Sequence, residues 1–235
     1  MKVTALIPAA GRGIRMGTKE SKPYLDLAGK PILVHTLHEF ERCSSIDEIV
    51  LIVSESDIEY SRVSIAEAFK LKKVSKIIAG GLKRQDSVWE GLKTLKNGCD
   101  LVMVHDGVRP FVSQDILEMS VRETSRWGAT VASVPVKDTV KTASEEGEVL
   151  ETLDRRKLWA VQTPQTFKYD ILKSAYEKAF KEGFYGTDDA SLVEKLGIKV
   201  RIIPGSYENI KITTPEDLAL GEAILKRRTS KLQDT

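Results

Sequence analysis

Short apolar runs alternate with longer amphipathic stretches through the first half of the chain. Segments 3–7, 48–53, 74–79, 101–105 and 130–134 are rich in Val and Ile and flanked by turn residues, which marks them as strands. Between them apolar residues recur at helical spacing. Pro31 stands at a first-turn position ahead of Leu33, Leu37 and Phe40; Val88, Leu92 and Leu95 mark a second helix, and Ile116 with Met119 a third. This alternation predicts an α/β fold of three layers: a mainly parallel sheet covered by helices on both faces. After Val134 the pattern changes. Lys137-Asp138-Thr139-Val140-Lys141 alternates polar and apolar residues, Ser144-Glu145-Glu146-Gly147 is turn-like, and Val149-Leu150-Glu151-Thr152-Leu153 follows. These residues predict a β-hairpin, a protruding arm at about 137–160. Helices are expected at 169–180 and 188–196 and strands at 199–203 and 209–212. A last helix opens at Thr214-Pro215-Glu216-Asp217, with a Thr cap, Pro in the first turn and acids at the positive helix end. The basic run 226–231 reads as a frayed, solvated end. With no internal repeat and no flexible linker, the chain is expected to be one domain over 1–235.

Composition narrows the function. The chain has 235 residues and a formal net charge of +2, with an isoelectric point near 8.4. That balance speaks against a dedicated nucleic-acid binder, for which a domain isoelectric point above about 9 is usual, but it leaves room for a local basic pocket. Two cysteines, Cys43 and Cys99, form neither a disulfide framework nor a zinc cluster, and their use suits a reducing cytoplasm. No run approaches the roughly 18 apolar residues of a membrane span, so no membrane partner is expected.

Ligands of open α/β sheets gather beyond the carboxyl ends of the strands, so the loops there carry the candidate chemistry. After the first strand the chain reads Ala9-Ala10-Gly11-Arg12-Gly13-Ile14-Arg15-Met16-Gly17, then Lys22-Pro23-Tyr24-Leu25. Small residues let the backbone approach an anion closely, and Arg15 and Lys22 add full charges. The glycine spacing fits neither a dinucleotide fingerprint nor a P-loop. The set points toward polyphosphate, although a solvated surface loop would account for the segment taken alone. Gly80-Gly81-Leu82-Lys83-Arg84-Gln85-Asp86-Ser87 permits another close approach and brings a hydroxyl near a helix start; a plain turn with a helix cap serves equally well. In His105-Asp106-Gly107-Val108-Arg109-Pro110, Asp106 is placed to help hold Mg²⁺ on nucleotide phosphates. The alternative is an Asp that pairs with Arg109 and shapes the turn. His35 and His38 lack a third ligand nearby, and there is no Gly-x-Ser-x-Gly elbow or nucleophilic Cys. Asp154-Arg155-Arg156, Thr187-Asp188-Asp189-Ala190-Ser191 and Asn209-Ile210-Lys211-Ile212-Thr213 are unremarkable singly. Together they could supply a second anion site.

These segments, with Asp138-Thr139-Val140-Lys141 and Gln162-Thr163-Pro164-Gln165, stand in an order that resembles the 2-C-methyl-D-erythritol 4-phosphate cytidylyltransferases. The resemblance runs from the first strand to the last helix. It implies a nucleotide-diphospho-sugar transferase type of fold, a homodimer built through the β-arm, and transfer of CMP from CTP to a sugar-alcohol phosphate with Mg²⁺ or another divalent cation. By motif, Ala9, Ala10, Gly11, Gly80, Gly81, Ser87, Asp106 and Gly107 would surround CTP, with Asp106 also a metal ligand. Arg15 and Lys22 would stabilise the transition state. Arg155 and Lys211 would position the acceptor phosphate, with Arg109, Thr139 and Thr187 holding the rest of the acceptor; Arg156 beside Arg155 leaves that assignment open by one residue. Two rivals remain: a ribitol 5-phosphate cytidylyltransferase, which differs in the acceptor pocket, and a silent nucleotide-binding module on the same fold. The chemistry agrees with the absence of a catalytic His or Cys. An acceptor phosphate, with a second pKa near 6, is already ionised at neutral pH. The obstacle is repulsion between two phosphates, which cations relieve.

Overall fold

The computed structural model describes residues 1–11, 21–95 and 98–233. In chain order the strands are β1 (Val3–Pro8), β2 (Asp26–Leu27), β3 (Lys30–Pro31), β4 (Glu48–Val53), β5 (Val74–Ala79), β6 (Leu101–Val104), β7 (Ala129–Pro135), β8 (Lys141–Ala143), β9 (Val149–Thr152), β10 (Trp159–Lys168) and β11 (Arg201–Pro204). The helices are α1 (Ile32–Arg42), α2 (Ile58–Tyr60, running on as π-turns over Ser61–Glu67), α3 (Arg84–Lys93), α4 (Gln114–Trp127), α5 (Tyr169–Lys181), α6 (Asp189–Lys195) and α7 (Pro215–Gln233). Seven strands make the main sheet, in the order β11-β7-β10-β6-β1-β4-β5. All run parallel except β10, which is antiparallel to both neighbours.

The period-2 alternation of each central strand feeds two cores. Val3, Ala5 and Ile7 of β1 and Leu51 and Val53 of β4 face α1 and α4, against Leu33, Leu37, Phe40, Leu117 and Val121. Leu6, Val50, Ile52, Val102 and Val104 face the other way, against Val88 and Leu92 of α3, Leu172 and Tyr176 of α5, and Val193 of α6. Helix α3 lies close on the sheet because Gly91 has no side chain: a Cβ there would meet Ile52 Cδ1 at 2.8 Å and both Leu6 methyls at 3.2 Å. A third cluster of Leu27, Ile32, Phe111, Ile212 and Ile224 fixes α7 beside the carboxyl ends of the strands.

The strands expected at 48–53 and 74–79 have those bounds, and the three early helices are present. Thr214 caps α7 as expected, and the Asp217 carboxylate accepts from Thr213 N and Thr214 N at 2.8 and 2.9 Å. Four expectations need correction. Strand β10 lies within and beyond the expected arm; Pro164 interrupts its ladder, and its register against β7 shifts between Val161 and Gln165, so the run does not look like a strand. The arm's paired strands are correspondingly short, β8 with β9; Val140 O accepts from Leu153 N at 2.9 Å just beyond them, and 137–139 lie outside both strands. Residues 209–212 form no strand. The Asn209 side chain, fully buried, instead donates to Thr163 O at 2.8 Å, and only Ile212 N reaches across to Val108 O. The basic tail is not a frayed end: it continues α7, Arg227 and Arg228 both pair with Glu208, and Arg228 donates to Phe111 O at 2.8 Å.

Because β10 runs backward, the arm between β7 and β10 stands at the rim where the parallel strands end. Tyr207 donates to Pro135 O at 2.7 Å, and Gln162 donates to Ser206 O at 2.8 Å. The arm's base is thereby fastened to the segment that leads into Lys211.

Candidate active site

The carboxyl ends of β1, β5 and β6 open into a cleft of about 230 Å³. The chain past β1 supplies Ala9, Ala10 and Gly11 to its wall, with Ala9 N bonded to Ile52 O at 2.7 Å and Ser54 donating to Ala10 O. Lys22 enters from a short 3₁₀ turn, Lys22–Tyr24. That turn is anchored where Tyr24 Oη and the buried Ser61 Oγ lie 2.8 Å apart. The segment after β5 contributes Gly81, Leu82, Lys83, Arg84 and Ser87. Here Gly81 N donates to Ser87 Oγ at 3.1 Å, Lys83 N donates to the Asp86 carboxylate at 2.9 Å, and α3 begins with its positive end toward the cleft. Gly80 and Gly107 lie behind the wall, and neither has space for a Cβ: at 80 it would meet Ser87 Oγ at 2.6 Å, at 107 Ala9 Cβ at 2.9 Å.

Asp106 is the hub. It is 6% exposed, lines the cleft and carries three cations. Arg84 Nε lies 3.0 Å from its Oδ1; Arg109 Nε and Lys211 Nζ lie 3.2 and 3.0 Å from its Oδ2. Burial alone would raise its pKa, but Arg84, Lys211 and Arg109 outweigh that and hold the carboxyl well below the usual carboxylate range. Arg84 also meets Asp189 at 2.8 Å. Burial would lower the guanidinium's pKa; the Asp189 and Asp106 charges more than offset it, and the net shift is upward. Arg109 is steadied further by a 2.9 Å bond to Asn209 O. His105 sits beneath, fully buried, with Nε2 3.1 Å from Arg109 O and Nδ1 3.1 Å from Thr163 Oγ1, which also accepts from Asp106 N. Burial lowers its pKa to about 4, so it is neutral at physiological pH and serves as a strut for the Asp106 loop.

Of the residues expected at the site, Ala9, Ala10, Gly11, Lys22, Gly81, Ser87, Asp106 and Lys211 line this one cleft. Arg109 joins them through Asp106. Thr187 borders a separate small recess shared with Arg84, Tyr176 and Asp189. Thr139 and Arg155 belong to the arm and do not line the cleft; Arg155 is exposed and donates to Lys137 O at 2.8 Å. Arg156, the neighbour that left the assignment open, is tied to Asp154 at 2.9 Å. Arg15 lies outside the described residues. Sequence reasoning gave no role to Arg84 or Asp189. Their one signal is an Arg directly after a glycine loop and a second acid at a helix start, which becomes legible only when the fold brings both to Asp106.

Among the described residues no group of three or more His, Cys, Asp or Glu side chains gathers as a metal cage. A Mg²⁺ ion needs less than that. It commonly takes one or two carboxylates and completes its shell with substrate phosphates and water. Asp106 offers one carboxylate to the cleft, and its Oδ1, engaged among the described residues by Arg84, retains acceptor capacity, so the donor set fits a nucleotide-borne cation.

The geometry agrees with comparisons to known proteins. The family model described as 2-C-methyl-D-erythritol 4-phosphate cytidylyltransferase matches residues 3–227. Proteins of that name from Alkaliphilus metalliredigens and Syntrophus aciditrophicus are 49% and 48% identical, over 97% and 98% of this chain and 94% and 99% of theirs. Among solved structures, 4-diphosphocytidyl-2C-methyl-D-erythritol synthase from Anaerococcus prevotii superposes with a TM-score of 0.85 at 34% identity, covering 96% of each chain. The cytidylyltransferase from Thermus thermophilus gives 0.79 at 32% identity, over 96% of this chain and 100% of that one. With near-complete coverage on both sides and an anion-suited cleft where the strands end, the chain belongs to the 2-C-methyl-D-erythritol 4-phosphate cytidylyltransferase family.

Proposed function

We propose that this protein, as a single catalytic domain, transfers the cytidylyl group of CTP to 2-C-methyl-D-erythritol 4-phosphate. The products are 4-diphosphocytidyl-2-C-methyl-D-erythritol and pyrophosphate, a step in non-mevalonate isoprenoid precursor biosynthesis. The observation that carries this reading is the cleft beyond β1, in which small residues, Lys22 and the Asp106–Lys211–Arg84 cluster meet. A phosphate oxygen of the acceptor attacks the α-phosphorus of CTP. The new P–O bond forms as the bond to pyrophosphate breaks, and no proton need be removed because the acceptor phosphate is already ionised. The chain's work is to hold two anions in line and to offset their repulsion.

Ala9, Ala10, Gly11 and Gly81 bring backbone close to the nucleotide, with Gly80 and Gly107 keeping the walls near, and Ser87 fixes the Gly81 turn. Lys22, with Arg15 by the family motif, stabilises charge as pyrophosphate departs. Lys211 and Arg155 position the acceptor phosphate, with Arg109, Thr139 and Thr187 around the rest of the acceptor. Asp106 keeps Lys211 and Arg109 in place and, among the described residues of the cleft, is the one that would help hold Mg²⁺. A divalent cation held there would supply charge screening of the phosphate oxygens.

Thr139 and Arg155 stand on an arm whose apolar residues Val149, Leu150, Trp159 and Val161 face solvent. Exposure of that kind supports a homodimer in which each arm reaches the partner's rim. The free thiols Cys43 and Cys99 support a cytoplasmic setting, and among the described residues no helix is long and apolar enough to cross a membrane. The test is pyrophosphate release from CTP and Mg²⁺ with each alcohol phosphate. Methylerythritol phosphate should be the fastest acceptor; faster release with ribitol 5-phosphate would overturn the assignment.

A further inference from the structure

Behind the cleft lie two buried polar groups that none of the assigned roles uses, joined through Arg84 to Asp106. Tyr176 of α5 is 0% exposed and donates to Asp189 Oδ1 at 2.5 Å. Asp189, the first residue of α6, is 1% exposed, and its Oδ2 meets Arg84 Nη1 at 2.8 Å. Arg84 Nε then reaches Asp106 Oδ1 at 3.0 Å. Burying an acid and a phenol away from solvent is costly unless each is paired. The pairing runs in one direction, from the helical layer to the wall of the cleft. We propose that Asp189 and Tyr176 are positioning residues for cytidylyl transfer, acting through Arg84 to set how much of Asp106 is left for Lys211. This inference rests on the functional reading above.

Arg84 divides its guanidinium between two carboxylates. Held by Asp189, it takes Asp106 Oδ1 through Nε alone and leaves Oδ2 to Lys211 and Arg109. Without Asp189 the same guanidinium is drawn wholly onto Asp106, where it competes with Lys211 for the carboxylate. Tyr176 orients Asp189 for this task. Burial and the neighbouring Asp189 push the phenol's pKa well above its ordinary value, so the hydroxyl remains a donor. The same layer fastens the loop that carries Thr187. Gln85, beside Arg84, donates to Phe184 O and accepts from Gly186 N, both at 3.0 Å. Gln165 donates to Asp188 at 2.8 Å and accepts from Ala190 N at 3.0 Å. Arg84 thus connects the nucleotide wall to the loop beside the acceptor.

The test is a double-mutant cycle on the full chain at 25 °C, reading kcat/KM for CTP by pyrophosphate release and CTP affinity by calorimetry. Asp189→Asn should lower kcat/KM about tenfold or more and CTP affinity about threefold or more. In an Arg84→Gln background the same change should cost less than about twofold in either measure. Tyr176→Phe removes only the hydroxyl and leaves the ring stacked on Trp89; a smaller loss of about three- to tenfold, again absent in the Arg84→Gln background, is expected. A merely structural role would lower the melting temperature while leaving kcat/KM of the folded enzyme intact, and that result overturns the proposal. So do losses that multiply with Arg84→Gln. If Asp189→Asn does not fold, the Tyr176→Phe pair makes the same comparison. A wild-type chain that binds CTP but releases no pyrophosphate defeats the functional reading alone, and the cycle on CTP affinity then decides this one. A wild-type chain that does neither overturns both.

Discussion

The cleft and the β-arm hold similar charged residues in opposite states. Around the buried Asp106, two arginines and a lysine lie within 3.2 Å of its carboxylate oxygens, their side chains partly exposed. In the arm Asp154 and Arg156 form an ion pair as short, 2.9 Å, but Arg156 is 86% exposed, and β8 and β9 bury nothing. A water-exposed pair contributes little and is readily broken, whereas a buried cluster is held by what surrounds it. The cleft is therefore arranged before any ligand arrives. The arm offers side chains whose positions depend on what later covers them.

The largest effect that would sharpen this contrast is on catalysis. Lys22→Ala should reduce kcat about 10²- to 10³-fold while shifting the melting temperature little, because a loop lysine adds little to stability. Steady-state kinetics and calorimetry on the same preparation check it, and a parallel loss of both would mean that the turn, not the charge, had been damaged. Next comes pH. His105 is held neutral down to about 4 by burial, but in an unfolded chain it protonates near 6.5. Between those values the unfolded state binds more protons, so stability falls as pH drops through that window, by up to about 3 kcal/mol from this residue. His35 and His38 are also lowered by burial and act in the same direction. Asp106 is depressed and acts lower, its contribution being lost only as pH falls below the normal carboxylate range. Urea melts at pH 7 and pH 5 should show a smaller pH loss for His105→Gln than for the parent.

Gly91→Ala should destabilise by about 1–3 kcal/mol, since the added methyl meets Leu6 and Ile52, and it should raise KM for CTP by tilting α3. Thermal melts and kinetics test both. The smallest effect on folding belongs to the arm. Leu150→Ser with Trp159→Ser should change monomer stability by no more than about 0.5 kcal/mol but should weaken self-association in sedimentation. An arm variant that melts as early as Gly91→Ala would erase the distinction between cleft and arm.

Legibility in the sequence followed the same divide between local and distant causes. Strands β4 and β5 were readable because β-branched residues crowd short runs. The α7 cap was readable because Thr214, Pro215 and Asp217 act within one turn. Strand β10 was not, since Pro164 counts against a central strand and only its place between β6 and β7 makes it one. The Asn209 segment looked like a strand by alternation, but its side chain is committed to Thr163 and Gln162. Asp106 stood out as an acid after a strand; that Arg84 and Lys211 would meet it could not be seen, because they arrive from separate loops far along the chain. The tail arginines looked solvated for the same reason, as Glu208 is distant in sequence.

The backward course of β10 has a consequence for how such enzymes diverge. Because the chain leaves the sheet after β7 and re-enters it at β10 on the same side, the insert between them can lengthen, shorten or change sequence without rewiring any other strand. The insert can thus vary on its own, while the strands that carry the cleft keep their architecture.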